Sequence, residues 1–362
     1  MAATELEQPL VSCIIPAYNA ADTIVRAIES ARRQTYPNVE IVVVNDGSTD
    51  NTEEVVLSRF PEIRYIRHVH NRGPSAARNS GARAARGAVL AFLDADDEWL
   101  PVKTEIQLDA LARLPNVGVL FTGMLILMDR WEKKLSPPRP RVGLSHFTAR
   151  DMLRRPLGVS AMVYASTFWA LGGFEHTGPL PEAELWARMA SRGLDVARLD
   201  LPLYVQHVRP GSLSRDVFWS FDAVMHMLDI WAPDTPRGRS IAMSAREYGR
   251  LREEWFTRLT LRLVRGGHFE RVRKRLSHEP AAGGWRRHAK ALMFLVAHCP
   301  SVVRAVLRVG WLPRRLLRSL PGRAAYCRYG RVFQTCARDA NRFQQAFPRG
   351  RGGAVRQPGG GA

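Results

Sequence analysis

The first hundred residues alternate short apolar runs with segments of helical periodicity, and this alternation constrains the fold more than any other feature. The run Val11–Ile15 is apolar enough for a buried strand, and Ile24, Ala27, Ile28 and Ala31 then recur at helical spacing. Further apolar runs follow at Val39–Val44, Ile63–His68 and Ala88–Leu93. The alternation predicts βαβ crossovers and a parallel sheet that helices cover on both faces.

Polar residues follow each predicted strand at the point where it ends. In open parallel sheets, ligands bind outside the carboxyl ends of the strands, where loops and helix N-termini offer free N–H groups. We therefore expect the four polar segments to meet in one crevice. They are Pro16–Asn19, Asn45 with Asp46, Asn71–Gly73, and Asp94–Asp97.

Three carboxylates follow the fourth predicted strand, at Asp94, Asp96 and Asp97. An isolated D-x-D is weak evidence, because acidic residues are common in solvated turns and helix caps. Here the D-x-D stands at the end of a buried strand beside other polar strand ends. Carboxylates at i and i+2 can hold one Mg²⁺ or Mn²⁺ and leave positions for diphosphate oxygens.

Four motifs together resemble the inverting family 2 glycosyltransferases, whose GT-A fold binds nucleotide sugars. In order they are Val11–Asn19, Ile41–Asp50, Asn71–Gly81 and Phe92–Asp97, and the resemblance extends over about residues 9–215. It implies an α/β, Rossmann-like catalytic domain with a mostly parallel central sheet flanked by helices.

The resemblance implies a donor site made from these motifs. Pro16, Ala17, Tyr18 and Asn19 would surround the nucleoside, Asp46 would receive the nucleobase, and Asp94 with Asp96 would hold the metal and the diphosphate. Asn45 departs from the family, where many members have Asp. Arg78 would face the donor phosphates, since guanidinium suits phosphate oxygens, although an ordinary surface arginine of a helix is an alternative.

The acceptor side rests on a later motif, in which an acidic residue takes the proton of the acceptor hydroxyl. Alignment on Trp186 puts Glu182 where the family has this base, with Glu184 as the second candidate. Pro181 departs from the family pattern. An impaired site, or two acids that only favour a helix N-terminus, are the alternatives. Trp186 itself is a core residue or a platform for a sugar ring.

Two basic residues near the end of this domain are further candidates for donor contacts. By resemblance, His207 could reach the metal, and Arg209 could reach the diphosphate. The alternative is a loop whose hydrogen bonds only close the domain.

All of the net charge of +19 lies in residues 217–362, which contain 28 Lys and Arg against 9 Asp and Glu. This region is predicted to be basic and mainly helical over 217–346, with a disordered Gly/Arg/Pro tail over 347–362. It could lie on an anionic membrane, or pack its apolar faces on the catalytic domain of residues 1–216. Nucleic acid is disfavoured as a partner because no recognition motif accompanies the charge.

The sequence therefore predicts a metal-dependent enzyme that moves a sugar from a nucleotide-diphosphate donor, UDP-linked, to a hydroxyl acceptor with inversion. The acceptor could be lipid-linked, in the synthesis of envelope polysaccharide or glycolipid. We expect a cytoplasmic protein, because the N-terminus has no basic region or apolar run of a signal peptide and the sequence has no apolar run of membrane-spanning length. The basic region could place it peripherally on the inner face of the membrane. A nucleotide-sugar-binding homologue without transfer activity, and a polyanion-binding protein on an inert scaffold, are the rival readings.

Overall fold

The computed structural model describes residues 8–128, 132–136, 143–158, 160–175, 180–208 and 217–265. Two compact units are present. Residues 8–175 and 181–208 belong to the first, and residues 217–265 belong to the second. Most of the predicted basic region, the whole predicted tail and Arg209 lie outside the described residues.

The first unit is a mixed α/β domain around one ten-stranded sheet. Its strands are β1 (Val11–Ala17), β2 (Val39–Asn45), β3 (Arg64–Arg67), β4 (Val89–Phe92), β5 (Glu98–Trp99), β6 (Val117–Met128), β7 (Glu132–Ser136), β8 (Leu144–Phe147), β9 (Met162–Tyr164) and β10 (Asp195–Val208). Its helices are α1 (Ile24–Arg32), α2 (Thr52–Arg59), α3 (Pro74–Ala84), α4 (Lys103–Arg113), α5 (Ala149–Arg154), α6 (Ala165–Ala170) and α7 (Pro181–Ser191).

The strand order is β3-β2-β1-β4-β9-β6-β10-β5, with β7 on β6 and β8 on β10. The pairs among β3, β2, β1 and β4 are parallel, as the sequence predicted. Strand β9 is antiparallel to both of its neighbours, and β6 and β10 are parallel to each other. The α/β fold predicted from the sequence is confirmed, and the antiparallel strands were not part of that prediction.

Helix packing on the parallel half follows from the sequence pattern. The predicted apolar stripe of α1 (Ile24, Ala27, Ile28 and Ala31) is buried against the sheet. Helix α3 comes close to β1 because residue 81 is glycine. A Cβ atom at Gly81 would lie 2.5 Å from the Cγ2 atom of Ile14. The N-terminus of α3 is thereby held near the carboxyl ends of β1 and β2.

The second unit contains α8 (Val217–Ile230), α9 (Pro236–Ser240) and α10 (Ala245–Arg265). Thr235 caps α9, since its hydroxyl accepts a hydrogen bond from the N–H of Gly238. Asp229 of α8 accepts hydrogen bonds from Tyr248 and Arg252 of α10. These bonds join the two longer helices. No helix in the described part of the chain is long and apolar enough to cross a membrane.

Candidate active site

The loops after β1 and β2 are bonded to each other at the carboxyl ends of the strands. Ala17 is paired with Asn45 in the parallel register, and Asn19 follows with a positive φ of 48°. The N–H of Asn19 donates to Ser48, while the Asn19 side chain accepts from the N–H of Thr49. The predicted nucleoside loop, Pro16 to Asn19, thus has a defined shape, with the Tyr18 side chain half exposed.

Asp46 is buried, and its carboxylate holds the loop that leads into α3. Its Oδ1 atom accepts from the N–H of Arg72 at 3.0 Å and lies 2.6 Å from Nδ1 of His68. Its Oδ2 atom accepts from the N–H of Gly73 at 2.8 Å. The other ring nitrogen of His68 is 2.9 Å from the Ser80 hydroxyl. Asp46 therefore fixes the β3–α3 loop, and its role toward a nucleobase stays a prediction.

The acidic loop after β4 has one fully buried member, Asp97. Its carboxylate accepts from the Tyr204 hydroxyl at 2.8 Å and from the N–H of His207 at 2.9 Å. Burial, followed by the negative charges of Asp94 and Asp96, raises the pKa of Asp97 well above its ordinary value. Asp97 thus anchors the loop to β10, and Asp94 and Asp96 remain partly exposed.

Contacts of Glu98 with His207 and Arg26 also hold the acidic loop. The Oε1 atom of Glu98 lies 2.6 Å from Nε2 of His207 and 3.3 Å from Nε of Arg26. Burial opposes ionisation of Glu98, but His207 and Arg26 outweigh it and lower the pKa of Glu98. Arg26 also donates to the main-chain oxygen of Asp96.

The sequence placed His207 with Asp94 and Asp96 as metal ligands, and this assignment stays a prediction. In this structure the imidazole of His207 contacts Glu98. The described residues contain no group of three or more His, Cys, Asp or Glu side chains that could hold a metal ion.

Arg78 brings the acidic loop and the candidate base together. Its Nη2 atom donates to Oδ1 of Asp94 at 2.8 Å, and its Nη1 atom donates to Oε1 of Glu182. Burial alone would lower the pKa of Arg78. The negative charges of Glu182 and Asp94 outweigh burial, so the pKa of Arg78 is raised above its ordinary value. Because both acceptors bind one guanidinium, Asp94 and Glu182 lie side by side.

Glu184 points to a different set of partners. Its Oε2 atom accepts from Arg188 at 3.0 Å. The same guanidinium donates to the carbonyl oxygens of Leu171 and Gly173 and pairs with Glu175 at 3.3 Å. Arg188, which is paired with Glu184 on the same helix, thus ties α7 to the turn after α6. Of the two predicted candidates, Glu182 is the one that the structure brings to the acidic loop.

Trp186 is fully buried in a cluster of aromatic rings, which matches the prediction of a core residue. Its ring makes edge-to-face contacts with Phe121 and Phe174, at centroid distances of 5.4 and 5.9 Å. The main chain of Phe174 is held at both its N–H and its carbonyl oxygen by the side-chain amide of Asn79. The cluster fixes α7, and with it Glu182, against α3.

Sequence reasoning missed two side chains of this centre, Tyr204 and Arg26. It named Arg78 but did not predict that Arg78 bridges Asp94 and Glu182. Tyr204 could have been found, because a tyrosine inside the apolar run of β10 must find a partner for its hydroxyl. Arg26 carries no such signal, since it stands on the polar face of an amphipathic helix. The partner of Arg78 is 104 residues away and leaves no local pattern.

The family model described as "Glycosyl transferase family 2" matches residues 12–171. This segment contains the loops after β1 and β2, the start of α3, and the acidic loop. Residues 12–171 therefore belong to glycosyltransferase family 2.

Three known proteins are similar to this chain over part of its length. The succinoglycan biosynthesis protein ExoO of Rhizobium meliloti is 51% identical over 219 residues, which cover 57% of this chain and 63% of ExoO. WfaP of Escherichia coli, a UDP-Glc:α-D-GlcNAc-diphosphoundecaprenol β-1,3-glucosyltransferase, is 42% identical over 100 residues, 27% of this chain and 40% of WfaP. An uncharacterised glycosyltransferase of Rickettsia felis is 37% identical over 189 residues, 50% of this chain and 31% of the relative.

The chain thus spans less than two thirds of each of these relatives. Among solved structures, Staphylococcus aureus TarS is similar with a TM-score of 0.50 and 17% identity, over 69% of this chain and 43% of TarS. At this identity the likeness concerns the fold alone, and it agrees with the predicted GT-A architecture.

Proposed function

We propose that this protein is a glycosyltransferase that moves a sugar from a UDP-linked donor to a hydroxyl acceptor with inversion at the anomeric carbon. The observation that carries the proposal is the bridge through Arg78, which sets the D-x-D carboxylate Asp94 beside Glu182. An inverting displacement needs both functions in one centre, namely a site for the leaving diphosphate and a base for the incoming hydroxyl. The names of the relatives support polysaccharide or glycolipid synthesis as the setting.

The acidic loop fits a hard divalent cation such as Mg²⁺ or Mn²⁺. Asp94 and Asp96 supply carboxylate oxygens, the donors that such ions prefer, and the Asp94 side chain is 29% exposed. Their joint negative charge already perturbs Asp97. When bound, the cation would neutralise charge that develops on the departing diphosphate.

Glu182 would accept the proton of the acceptor hydroxyl as its oxygen attacks the anomeric carbon. The Glu182 side chain is 17% exposed, so it is accessible from the crevice without being surrounded by water. Tyr204 and His207 hold Asp97 in place below the loop, which keeps Asp94 and Asp96 in register with Glu182. The half-exposed Tyr18 would lie along the nucleoside.

The acceptor and the cellular setting form a finer part of the proposal. WfaP acts, by its name, on a sugar diphosphate carried by undecaprenol, which supports a lipid-linked acceptor for this chain as well. An acceptor of that kind lies at a membrane surface. The +19 charge of residues 217–362 would hold the enzyme on the anionic inner face of the membrane.

Donor binding tests the proposal before the acceptor is known. A panel of nucleotide sugars, with and without Mn²⁺, is added to the wild type, to Asp96→Asn and to the control Asp195→Asn, whose carboxylate is exposed at the start of β10. Ligands that bind the folded state stabilise it, by about 2.7 kcal/mol at 100 times Kd. We expect Mn²⁺-dependent stabilisation by a UDP-sugar in the wild type and the control, with a loss in Asp96→Asn. No response to any donor would contradict the proposal.

A further inference from the structure

We propose that Arg78 is a positioning residue that locks Glu182 and Asp94 into one unit, so that the base and the diphosphate site keep a fixed separation. This inference rests on the proposed function, because it concerns the same centre. It differs from the expectation drawn from the sequence, in which Arg78 faces the donor phosphates directly.

The contacts of Arg78 leave little of its guanidinium for a substrate. Both terminal nitrogens are bonded to carboxylates, and the side chain is only 5% exposed. Its guanidinium carbon lies 5.8 Å from the centre of the Phe174 ring, which covers one face. Each terminal nitrogen keeps a second N–H, but at 5% exposure the guanidinium offers a phosphate little access beside the two carboxylates.

The arrangement also has a cost that packing alone does not explain. The Nε atom of Arg78 is buried and makes no hydrogen bond with the described part of the chain. A buried donor without a partner typically costs about 1 to 3 kcal/mol. The geometry that directs both terminal nitrogens to two acids is kept in spite of this cost.

Arg78 can transmit position because its own backbone is rigidly placed. Gly81, one turn along α3, packs directly on Ile14 of β1. The neighbouring Asn79 is bonded to both main-chain groups of Phe174. The guanidinium thus extends from a fixed helix to two acids that belong to separate segments, the loop after β4 and the start of α7.

The separation matters because the hydroxyl and the diphosphate must stand on opposite sides of the anomeric carbon. Binding energy lowers a barrier only when the reacting atoms are held in an attack geometry, and an error of 1 Å can cost about 100-fold in rate. A carboxylate base on a free side chain would lose this alignment. We therefore assign to Arg78 an effect on kcat that works through Glu182.

A double-mutant cycle tests this coupling. Turnover is measured as UDP release from UDP-glucose, with an α-GlcNAc-diphosphate lipid as acceptor and with water alone. We expect Arg78→Gln to lower kcat about 100-fold, with a much smaller change in the KM for UDP-glucose. Arg78→Lys should recover part of the loss because it keeps one charged contact. The double variant Arg78→Gln/Glu182→Gln should be no slower than Glu182→Gln alone, since residues that act as a unit are not additive.

Arg83→Gln is the matched control, because Arg83 lies on the same helix with an exposed side chain over the Trp169 ring. Hydrogen exchange adds a readout that needs no turnover. Arg78→Gln, or Arg78→Lys where the first variant does not fold, should exchange faster than the wild type in residues 93–97 and 181–191. Arg83→Gln should not.

The outcomes separate the two claims. Losses from Arg78→Gln and Glu182→Gln that multiply, or unchanged exchange in both segments, would overturn the positioning role while the proposed function stands. If Glu182→Gln turns over like the wild type, Glu182 is not the base and this inference fails, whereas sugar transfer itself stands; if the wild type neither binds nor turns over any nucleotide sugar, the proposed function fails.

Discussion

Lys103 is a charged residue at the centre of the first unit, where its side chain is fully buried. Its Nζ atom donates to Oε1 of Gln107 and lies 4.1 Å from the centre of the Trp99 ring, two contacts that favour the charged form. Burial outweighs them and lowers the pKa of Lys103 from 10.5 to about 7. The thiol of Cys13, buried nearby, has its pKa raised by the same burial.

This shift predicts how stability depends on pH. Between pH 7 and 10.5 the unfolded chain keeps the Lys103 proton while the folded chain has released it. The contribution of Lys103 to the free energy of unfolding should therefore rise with pH in this window, by about 1.4 kcal/mol per unit. The stability that Lys103 contributes is fully present above pH 10.5, its ordinary pKa. It is lost as the pH falls to about 7, because the folded protein must then hold a buried charge.

Lys103→Met isolates the effect, since methionine fills a similar volume without a charge. Urea unfolding of the wild type and the variant at pH 7, 8 and 9 should give a difference that grows by about 1.4 kcal/mol per pH unit in favour of the wild type. Parallel pH profiles would show that Lys103 does not release its proton in the folded protein.

At the scale of elements, the turn after α6 is bonded to both α3 and α7, because the N–H of Phe174 donates to Asn79 and the carbonyl oxygen of Gly173 accepts from Arg188. Gly173 in this turn has a φ of +69°, and a Cβ atom there would lie 2.8 Å from Oδ1 of Asn79. Gly193, in the turn after α7, has a φ of +80° but no atom within 4 Å of a Cβ. Both glycines have a positive φ, but only Gly173 lacks room for a Cβ atom.

Gly173→Ala should therefore destabilise the protein by about 2 to 4 kcal/mol and lower turnover, because strain and overlap act together on the segment that leads to Glu182. Gly193→Ala should cost about 1 kcal/mol from strain alone and leave turnover near the wild-type value. Thermal unfolding and UDP release measure both. Equal destabilisation by the two substitutions would contradict the close packing of Gly173 against Asn79.

The parallel half of the sheet could be predicted because each strand is a local apolar run that a helix follows. Strands β5 and β9 have only two and three residues, too few to show a hydrophobic pattern in the sequence. Strands β7 and β8 lie at the margins of the sheet and also show no clear hydrophobic pattern. The same distinction between local and distant sequence signals applies to the site residues. Asp94 and Asp96 were predictable from one motif, whereas the pairing of Arg78 with Glu182 and of His207 with Glu98 depends on segments far apart in sequence.

For the whole molecule, the main feature is the uneven distribution of charge along the chain. Residues 1–216 carry no net charge, and residues 217–362 carry +19. In the described part of this region, Arg246 and Arg250 are exposed on α10. Each cation near an anionic membrane surface adds about 1 kcal/mol to binding.

The full chain should therefore bind vesicles that contain anionic lipid more tightly than neutral vesicles, with an affinity that falls as salt is added. Charge reversal at Arg246 and Arg250 should weaken binding at least about tenfold. The same reversal at Arg33 and Arg67, two exposed arginines of the neutral unit, should have a much smaller effect. Cosedimentation at low and high salt measures this, and equal binding to both vesicle types would contradict membrane attachment by the basic region.

The central claim is that Glu182 acts as the base beside a donor site that works without it. The most direct measurement compares sugar transfer and UDP-sugar binding in the wild type, Glu182→Gln and Glu54→Gln, where Glu54 is an exposed residue of α2. We expect equal donor binding in all three proteins, a loss of transfer of about 100-fold or more in Glu182→Gln, and full transfer in Glu54→Gln. Transfer by Glu182→Gln at the wild-type rate would show that Glu182 is not the base.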